Sequence, residues 1–513
     1  MLLVLTTFLA GIVAVYILSH ALLLQTQDSH EPPLIQTSIP FLSPILGMIK
    51  HKTLYYVHLR DKHNLPIYTL RLPGTRVYVI NAVELIPVLQ RQWRAISFTP
   101  ILAASGPSVM GMSNEASKIL HRNMQSDHNY VVGFAPTISL AMGPGPSLDL
   151  MNKRAVEVMV AGMREFRQKG PTVINFWDWT RHEILMATTD AIYGPQNPYR
   201  DPGIEAAWNV FEPSYMTFAL APFKAFLAPK IFRAREKLAN AFLSYLQNDG
   251  HELASPFIKE VFSHGRRHGL SLDDIARSEI GHSFAVIGTT APTTWWLVYQ
   301  IFSDPVVLAD VRRELSALVE ESDDGRYSIN VAVIRTACPI LLSTFKETMR
   351  HRAIGTSVRM CLEDHVLDGR YLLKKGSMVI QSQIVHHTAP AVWGEDFATF
   401  QHIRFVQAPG RRRPNPVAFR AFGGGHTLCP GRHFSSMEIL AFAALMVLQF
   451  DIVPVAGKWV EPTWKKTPVV ASFQKPDEDI PVELRPRHSD CSWHITFEGS
   501  SDQRMRIVSE DMR

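Results

Sequence analysis

The apolar positions of the chain fall into three regimes. Residues 1–24 (MLLVLTTFLAGIVAVYILSHALLL) are apolar on every face and contain no Asp, Glu, Lys or Arg. About twenty residues at ~1.5 Å rise cross the ~30 Å hydrocarbon core of a bilayer, so this run predicts one transmembrane helix. A secretory signal would show a positive n-region and a shorter apolar core. Residues 25–47 carry prolines at 32, 33, 40 and 44 and predict a semi-rigid linker. Beyond it helical periodicity dominates: a helix over 50–62, a helix-rich stretch over 147–352 with one long helix over 273–302, and a further helix over 434–450. Strand patterns are confined to short pieces: 67–71 and 76–80, joined by Pro73-Gly74 in a hairpin, then 360–366, 377–381 and 480–485. This distribution predicts a mainly α protein with a small segregated β-sheet region over 48–487, followed by a polar tail over 488–513.

Composition narrows the classes. The chain is 46% hydrophobic and 19% charged, a globular balance, and its net charge of +5 is modest and dispersed, which argues against a dedicated nucleic-acid binder. Cys338, Cys361, Cys429 and Cys491 are far apart, a pattern that suits a reducing compartment better than a disulfide framework. Two apolar stretches broken by Pro and Gly, 96–113 and 142–147, are poor core and fit the wall of a pocket. The glycines of 142–147 are not a phosphate loop, because no Gly-Lys-Ser/Thr follows. The aromatic, proline-interrupted stretch 211–230 links two helical patterns.

The densest candidate chemistry is the decapeptide Phe422-Gly423-Gly424-Gly425-His426-Thr427-Leu428-Cys429-Pro430-Gly431. Glycines let the backbone approach a neighbour closely with its N–H groups exposed, and Pro-Gly turns the chain at once. A cysteine held this way, just before a helix N-terminus, is placed for thiolate ligation, and the helix dipole favours the anion. A zinc site from His426, Cys429 and His433 lacks the residues to complete four ligands. Upstream, the long helix contains Gly288-Thr289-Thr290-Ala291-Pro292-Thr293-Thr294. Pro292 has no N–H for the Gly288 carbonyl, so a kink is expected there, with threonine hydroxyls close to the freed carbonyls. Glu347 and Arg350, three apart on a predicted helix opened by Pro339, share a face and can pair.

The decapeptide resembles the haem-thiolate loop of the cytochrome P450 family: Phe422 stands seven before the cysteine, Gly425 four before it and Gly431 two after it. The resemblance implies the cytochrome P450 fold and a haem b (heme b, iron protoporphyrin IX) whose iron takes Cys429 as axial ligand. Phe422, Gly423, Gly431 and Arg359 are then cofactor-binding residues. Arg359 matches the family's propionate-binding arginine, Thr427 replaces a usual Arg or His, and Lys153 and Arg154 are the nearest substitutes for the arginine of Trp-x-x-x-Arg. Residues 285–290 are similar to Ala-Gly-x-Asp/Glu-Thr-Thr/Ser, with Thr289 as the catalytic proton-relay threonine and Gly288 where the family has an acid. Residues 400–405 resemble Phe-x-Pro-x-Arg-Phe, with His402 for the proline. This adds Arg404 to Glu347 and Arg350 as the structural triad that locks the cysteine loop. Pro292 resembles the sterol-hydroxylase and prostacyclin-synthase branch, and 211–230 corresponds to a lid over the substrate.

What the resemblance implies is a membrane-anchored monooxygenase of the endoplasmic reticulum, single-pass with its catalytic domain in the cytosol. Electrons come from NADPH through NADPH–cytochrome P450 reductase, with cytochrome b5 as a further donor. The expected walls 98–112, 211–226, 354–358 and 467–472 are apolar and Gly355 is small, which points to a bulky lipophilic substrate, sterol- or terpenoid-like. The sequence looks like fungal members that act in secondary-metabolite biosynthesis. Arg411-Arg412-Arg413, with Arg432, reads either as a solvated turn or as a basic patch for an acidic reductase. Two other classes stay open: a haem-thiolate isomerase or dehydratase needing no external electrons, and a non-catalytic haem-binding protein.

Overall fold

The computed structural model describes residues 2–323, 325–407, 409, 414–488, 491–499, 505–508 and 511. The chain forms two compact units, one built from Met1–Ile101, Ile354–Glu395 and Asn415–Leu428, the other from Leu102–Ala353, Asp396–Pro414 and Cys429–Arg513.

The first unit opens with the helix Leu2–Gln25, the one helix among the described residues long and apolar enough to cross a membrane. Most of its side chains, among them Val4, Phe8 and Leu18, are exposed, while Leu23 near its end is buried. The proline-rich segment that follows is strapped onto a sheet. The Tyr78 hydroxyl donates to Glu31 at 2.7 Å, the Thr69 hydroxyl donates to the Pro32 carbonyl at 2.7 Å, and Leu34 bridges to Thr69. The helix expected over 50–62 is two helices, Ser43–His51 and Leu54–His63. Lys52 adopts φ +50°, which ends the first, and Gly47 lies so close to the Tyr55 ring that a Cβ there would stand 2.3 Å from it. The pattern of apolar residues is continuous through this corner, so periodicity alone does not reveal it.

The sheet of this unit has five strands in the order Ile67–Leu72, Thr75–Ile80, Met378–Ser382, Thr356–Cys361, Ile96–Ser97. The expected Pro73-Gly74 hairpin is present, with Ile67 opposite Ile80. Only the central pair, Thr75–Ile80 with Met378–Ser382, runs parallel. Alternation places Ile67, Tyr78, Ile80 and Val379 in one apolar cluster and Tyr68, Leu70, Val77, Val79 and Ile380 in another, so both faces are buried.

The second unit is helical. The helix Arg432–Gln449, buried along nearly its whole length, packs on Pro146–Lys169, Thr290–Ser303 and Pro305–Ser316. Thr290–Ser303 also packs on Phe176–Tyr193 and Pro339–Arg352. The long helix expected over 273–302 is divided into Leu272–Ile287 and Thr290–Ser303, with Gly288 and Thr289 between them. Pro292 falls in the first turn of the second helix, where its missing N–H costs nothing, so the chain restarts a helix instead of bending one. Residues 211–230 form short pieces, Glu212–Ser214, Tyr215–Leu220 and Lys224–Leu227, which leave Phe223 and Phe226 more than 80% exposed.

Two small sheets complete this unit. One pairs Pro481–Pro486 with Phe450–Pro454 and Thr172–Asn175. The other pairs Trp493–Thr496 in parallel with Tyr327–Asn330. The described residues of the segment expected as a polar tail therefore contribute structure: Met505, Ile507 and Val508 are buried, and Lys346 donates to the Arg506 carbonyl at 2.6 Å.

Candidate active site

The loop 422–428 is shaped by backbone needs. Gly423 and Gly425 adopt φ +72° and +59°, a region costly to residues with a Cβ. A Cβ on Gly424 would stand 2.2 Å from the Arg420 guanidinium, so glycine is required there by close approach. Gly425–Thr427 forms a single 3₁₀ turn, and the His426 ring stacks on Trp93 with centroids 3.9 Å apart. His426 is thereby engaged with an indole. Among the described residues no cluster of three or more His, Cys, Asp or Glu could hold a metal ion by itself.

Arg359 is 3% exposed, on the strand Thr356–Cys361, and its guanidinium donates to Gln381 Oε1 and to the Thr427 hydroxyl, each at 2.9 Å. Both partners are neutral, and among the described residues no carboxylate pairs with Arg359. Burial, together with the charge of nearby Arg420, lowers its pKa to about 10. A guanidinium buried among neutral partners is a costly arrangement that an anion relieves. Thr427, which departs from the usual Arg or His, thus orients Arg359. Of the expected substitutes, Lys153 is exposed, and Arg154 pairs with Asp190 and Glu157 at 3.3 and 3.2 Å.

Cys429 opens the second stretch of the loop, directly before the helix Arg432–Gln449, with its thiol free. Burial raises the pKa of the thiol, against the opposing pull of the Gly431 backbone N–H and the Arg432 charge. The helix-terminus argument alone favours the anion; here desolvation outweighs it. A coordinating thiol, by contrast, is deprotonated outright by its metal. Room at Gly431 is tight, since a Cβ there would approach Met142 Cε to 3.2 Å. Arg432 does not offer a bare charge: Asp511 accepts from its Nε and Nη2 at 2.9 and 2.7 Å, and Asp511 also accepts from the N–H groups of Ile507 and Val508. Nothing in the sequence pattern links Asp511 to the cysteine loop, because the pairing spans the tail. Arg411, Arg412 and Arg413 lie outside the described residues.

Glu347, Arg350 and Arg404 meet as the motif spacing implies. Arg350 donates from Nε and Nη2 to the two Glu347 oxygens at 2.7 and 2.8 Å, and Arg404 Nε donates to Glu347 Oε1 at 3.0 Å. The Glu347 and Arg350 side chains are fully buried, and the Gln401 N–H also donates to Glu347. Removing one member of such a buried ionic group costs about 3–5 kcal/mol, because its partner is left charged and unpaired. His402 hydrogen-bonds Asp310 at 2.9 Å, an anchor for the loop that a proline could not supply.

At the helix break, the hydroxyls of Thr290, Thr293 and Thr294 each donate to the carbonyl four residues earlier. The Thr289 hydroxyl makes no hydrogen bond among the described residues. Of the four threonines it alone is left for another partner, which the cluster of threonines in the sequence does not distinguish.

Comparison with known proteins follows the same lines. A family profile described as Cytochrome P450 matches residues 210–479. The chain is 32% identical over 489 residues to the cytochrome P450 monooxygenase nodJ of Hypoxylon pulicicidum, covering 92% of this chain and 94% of that one. It is 25% identical to the 5-beta-cholestane-3-alpha,7-alpha-diol 12-alpha-hydroxylase of Sus scrofa, over 84% of this chain and 88% of the relative. Among solved structures, the retinoic acid-bound cyanobacterial CYP120A1 superposes with a TM-score of 0.68 at 17% identity, covering 89% of this chain and 99% of that one, a likeness of fold.

Proposed function

Because the chain belongs to the cytochrome P450 family and is a monooxygenase of it, we propose that it is a membrane-anchored enzyme that hydroxylates a bulky, lipophilic, sterol- or terpenoid-like substrate, with Cys429 as the ligand of its haem iron. The reaction consumes dioxygen, two electrons and two protons per hydroxyl inserted, and NADPH–cytochrome P450 reductase, with cytochrome b5 as a further donor, is the proposed electron source. The observation that carries the reading is Cys429: a desolvated thiol, with the Gly431 N–H toward its sulfur, at the end of a glycine-shaped loop. The donor set fits the group. A thiol costly to ionise in isolation is relieved by a metal, and Arg359, buried with neutral partners only, is relieved by a carboxylate such as a haem propionate.

When bound, the haem supplies dioxygen activation, and a thiolate ligand promotes O–O cleavage. The chain's own residues do the rest. Cys429 donates charge, Arg359 holds a propionate, and Phe422, Gly423 and Gly431 shape the loop around the sulfur. Glu347, Arg350 and Arg404 keep that loop in register, and the free hydroxyl of Thr289 hands on protons. A sterol-like substrate is supported by the similarity to a cholestane hydroxylase and by the apolar stretches 98–112 and 211–226. A place in fungal secondary metabolism belongs to the same proposal and rests on the resemblance of the sequence. Helix Leu2–Gln25 would anchor the enzyme in the endoplasmic reticulum.

The test is the carbon-monoxide difference spectrum of the reduced protein, expected near ~450 nm for a thiolate ligand. Wild type is expected to show the band and Cys429→Ala to lose it. An unchanged spectrum in the variant would overturn the ligand assignment, and product formed without any electron donor would overturn the monooxygenase chemistry.

A further inference from the structure

The proposed reaction raises a question about protons that the helix break answers. Hydroxylation balances as RH + O₂ + 2 e⁻ + 2 H⁺ → ROH + H₂O. The electrons come from the flavoprotein reductase, and both protons must reach a site shielded from bulk water. Neither Gly288 nor the threonines around it carries an acid. The carboxylate nearest this point comes from elsewhere in the chain: Glu212 Oε1 lies 3.8 Å from where a Cβ of Gly288 would stand. That same Cβ would be 2.8 Å from the Phe284 carbonyl, so an acid cannot be seated at 288 without moving the helix. Glycine leaves the slot, and Glu212 faces it.

Glu212 is held there. It begins the short 3₁₀ turn Glu212–Ser214, directly after the helix Pro202–Phe211. Lys475 Nζ donates to both of its oxygens, at 2.5 and 2.6 Å. Lys475 is itself fixed by the Thr467 hydroxyl, which accepts from the Lys475 N–H at 2.9 Å and donates to its carbonyl at 3.1 Å. The two side chains retain 16% (Lys475) and 14% (Glu212) of their surface. They are dry enough to act within the site and wet enough to be recharged from solvent. Next to Gly288 in the chain, the Thr289 hydroxyl is the one threonine hydroxyl of the break that makes no hydrogen bond to a carbonyl among the described residues.

We propose that the Glu212–Lys475 pair is the proton relay of this enzyme, a carboxylate delivered to the break at Gly288–Thr289 by the 211–230 segment instead of by the central helix. This rests on the monooxygenase reading above. In each transfer the Glu212 carboxylate first takes a proton from Lys475 or from solvent and passes it, through water, toward the Thr289 hydroxyl; Lys475, where it was the donor, regains its proton from solvent, so the pair returns to its starting charge. Because the acid resides on the 211–230 segment, proton supply is complete only while that segment is seated against the helix break. Oxygen reduction is thereby coupled to closure.

The experiment uses the full-length holoenzyme with reductase and NADPH, and oxygen consumption in H₂O and D₂O as the probe; with no substrate added the oxygen is reduced to hydrogen peroxide, O₂ + 2 e⁻ + 2 H⁺ → H₂O₂, which draws on the same two protons. Glu212→Gln is expected to slow oxygen consumption by about 10–100-fold and to change the solvent isotope effect, with Glu212→Asp restoring most of both. The carbon-monoxide band and the hydrogen exchange of amides 212–220 in the resting protein are expected to match wild type in Glu212→Asp. Lys475→Met, which keeps the carboxylate but removes both its tie and its recharging partner, leaves solvent to recharge Glu212 and is expected to slow turnover less than Glu212→Gln. Equal slowing in Glu212→Gln and Lys475→Met, with faster exchange of 212–220 in both and an unchanged isotope effect, would overturn the relay and leave the pair as a tie holding the segment. Wild-type rates in Glu212→Gln would overturn it as well. A wild-type protein without the carbon-monoxide band would instead refute the haem-thiolate reading, a separate outcome.

Discussion

Glu438 and Cys429 illustrate how burial sets chemistry one residue at a time. Glu438 lies within the helix Arg432–Gln449, accepts from the Thr188 hydroxyl at 2.6 Å on one oxygen, and has no protein partner among the described residues on the other. Burial pushes its pKa up to about 8, the Thr188 hydrogen bond opposing only in part. The carboxyl is therefore a neutral acid in the fold at pH 7 but ionised in the unfolded chain. Its folded value lies above the ordinary 4.5, so the fold holds a proton that the unfolded chain releases. Stability is then lost as pH rises from about 4.5 to about 8, and no further loss follows above that window. Glu438→Gln keeps an oxygen for Thr188 and removes the titration. Urea melts at about pH 5 and about pH 8 should show the wild type losing stability between them and the variant nearly flat. An identical slope in both proteins would show that Glu438 ionises freely. Cys429 shows the same desolvation acting on a thiol, where a bound metal reverses the preference.

Between residue and molecule, the C-terminal segment and the helix break are the elements that periodicity does not foretell. The segment looks polar in sequence, yet its strand Trp493–Thr496 and its buried Met505, Ile507 and Val508 dock it. Asp511 then engages Arg432, three residues past the cysteine, while Lys346, next to Glu347, donates to Arg506. Burial alone would raise the Asp511 pKa; the Arg432 hydrogen bonds and the Val508 N–H outweigh it and hold the carboxyl below its ordinary range. Asp511→Ala leaves the Arg432 guanidinium without its carboxylate and is expected to cost about 1–3 kcal/mol. A lower thermal midpoint, together with faster haem loss on dilution, would be the signature. A stability within about 0.5 kcal/mol of wild type would mean that Asp511 does not brace Arg432. The break at 288–289 has a simpler origin: a proline in a first helical turn permits a new helix to start, and sequence does not say whether the chain will bend or restart.

For the molecule as a whole, the exposed helix Leu2–Gln25 and the docked segment 31–35 have separable roles. The first is exposed along most of its length, and the second is tied to the sheet through Glu31, Pro32 and Leu34. Deleting residues 1–25 should shift the protein from the microsomal pellet toward the soluble fraction while preserving the carbon-monoxide band. Persistence in the pellet would assign membrane binding to other surfaces, with exposed Phe223 and Phe226 the first to replace. Deleting through residue 36 should in addition unseat the strap, exposing Tyr78 and Thr69 and lowering the thermal midpoint.

Local information in the chain determined the class: a mainly α protein with a small sheet, an apolar N-terminal helix, the cysteine loop, and the pairing of Glu347 with Arg350. Each of these depends on spacing within a few residues, where helix and turn geometry leave few choices. The hairpin over 67–80 was legible for the same reason, and Arg404 was legible through its own short motif. Tertiary structure alone decided the partnerships that join distant segments. Thr427 orients Arg359, Asp511 engages Arg432, His402 holds Asp310, and Glu212 faces Gly288. These contacts span 68 to 92 residues and carry no periodic signature. They exist because packing brings a buried charge or an empty glycine slot beside the side chain that completes it.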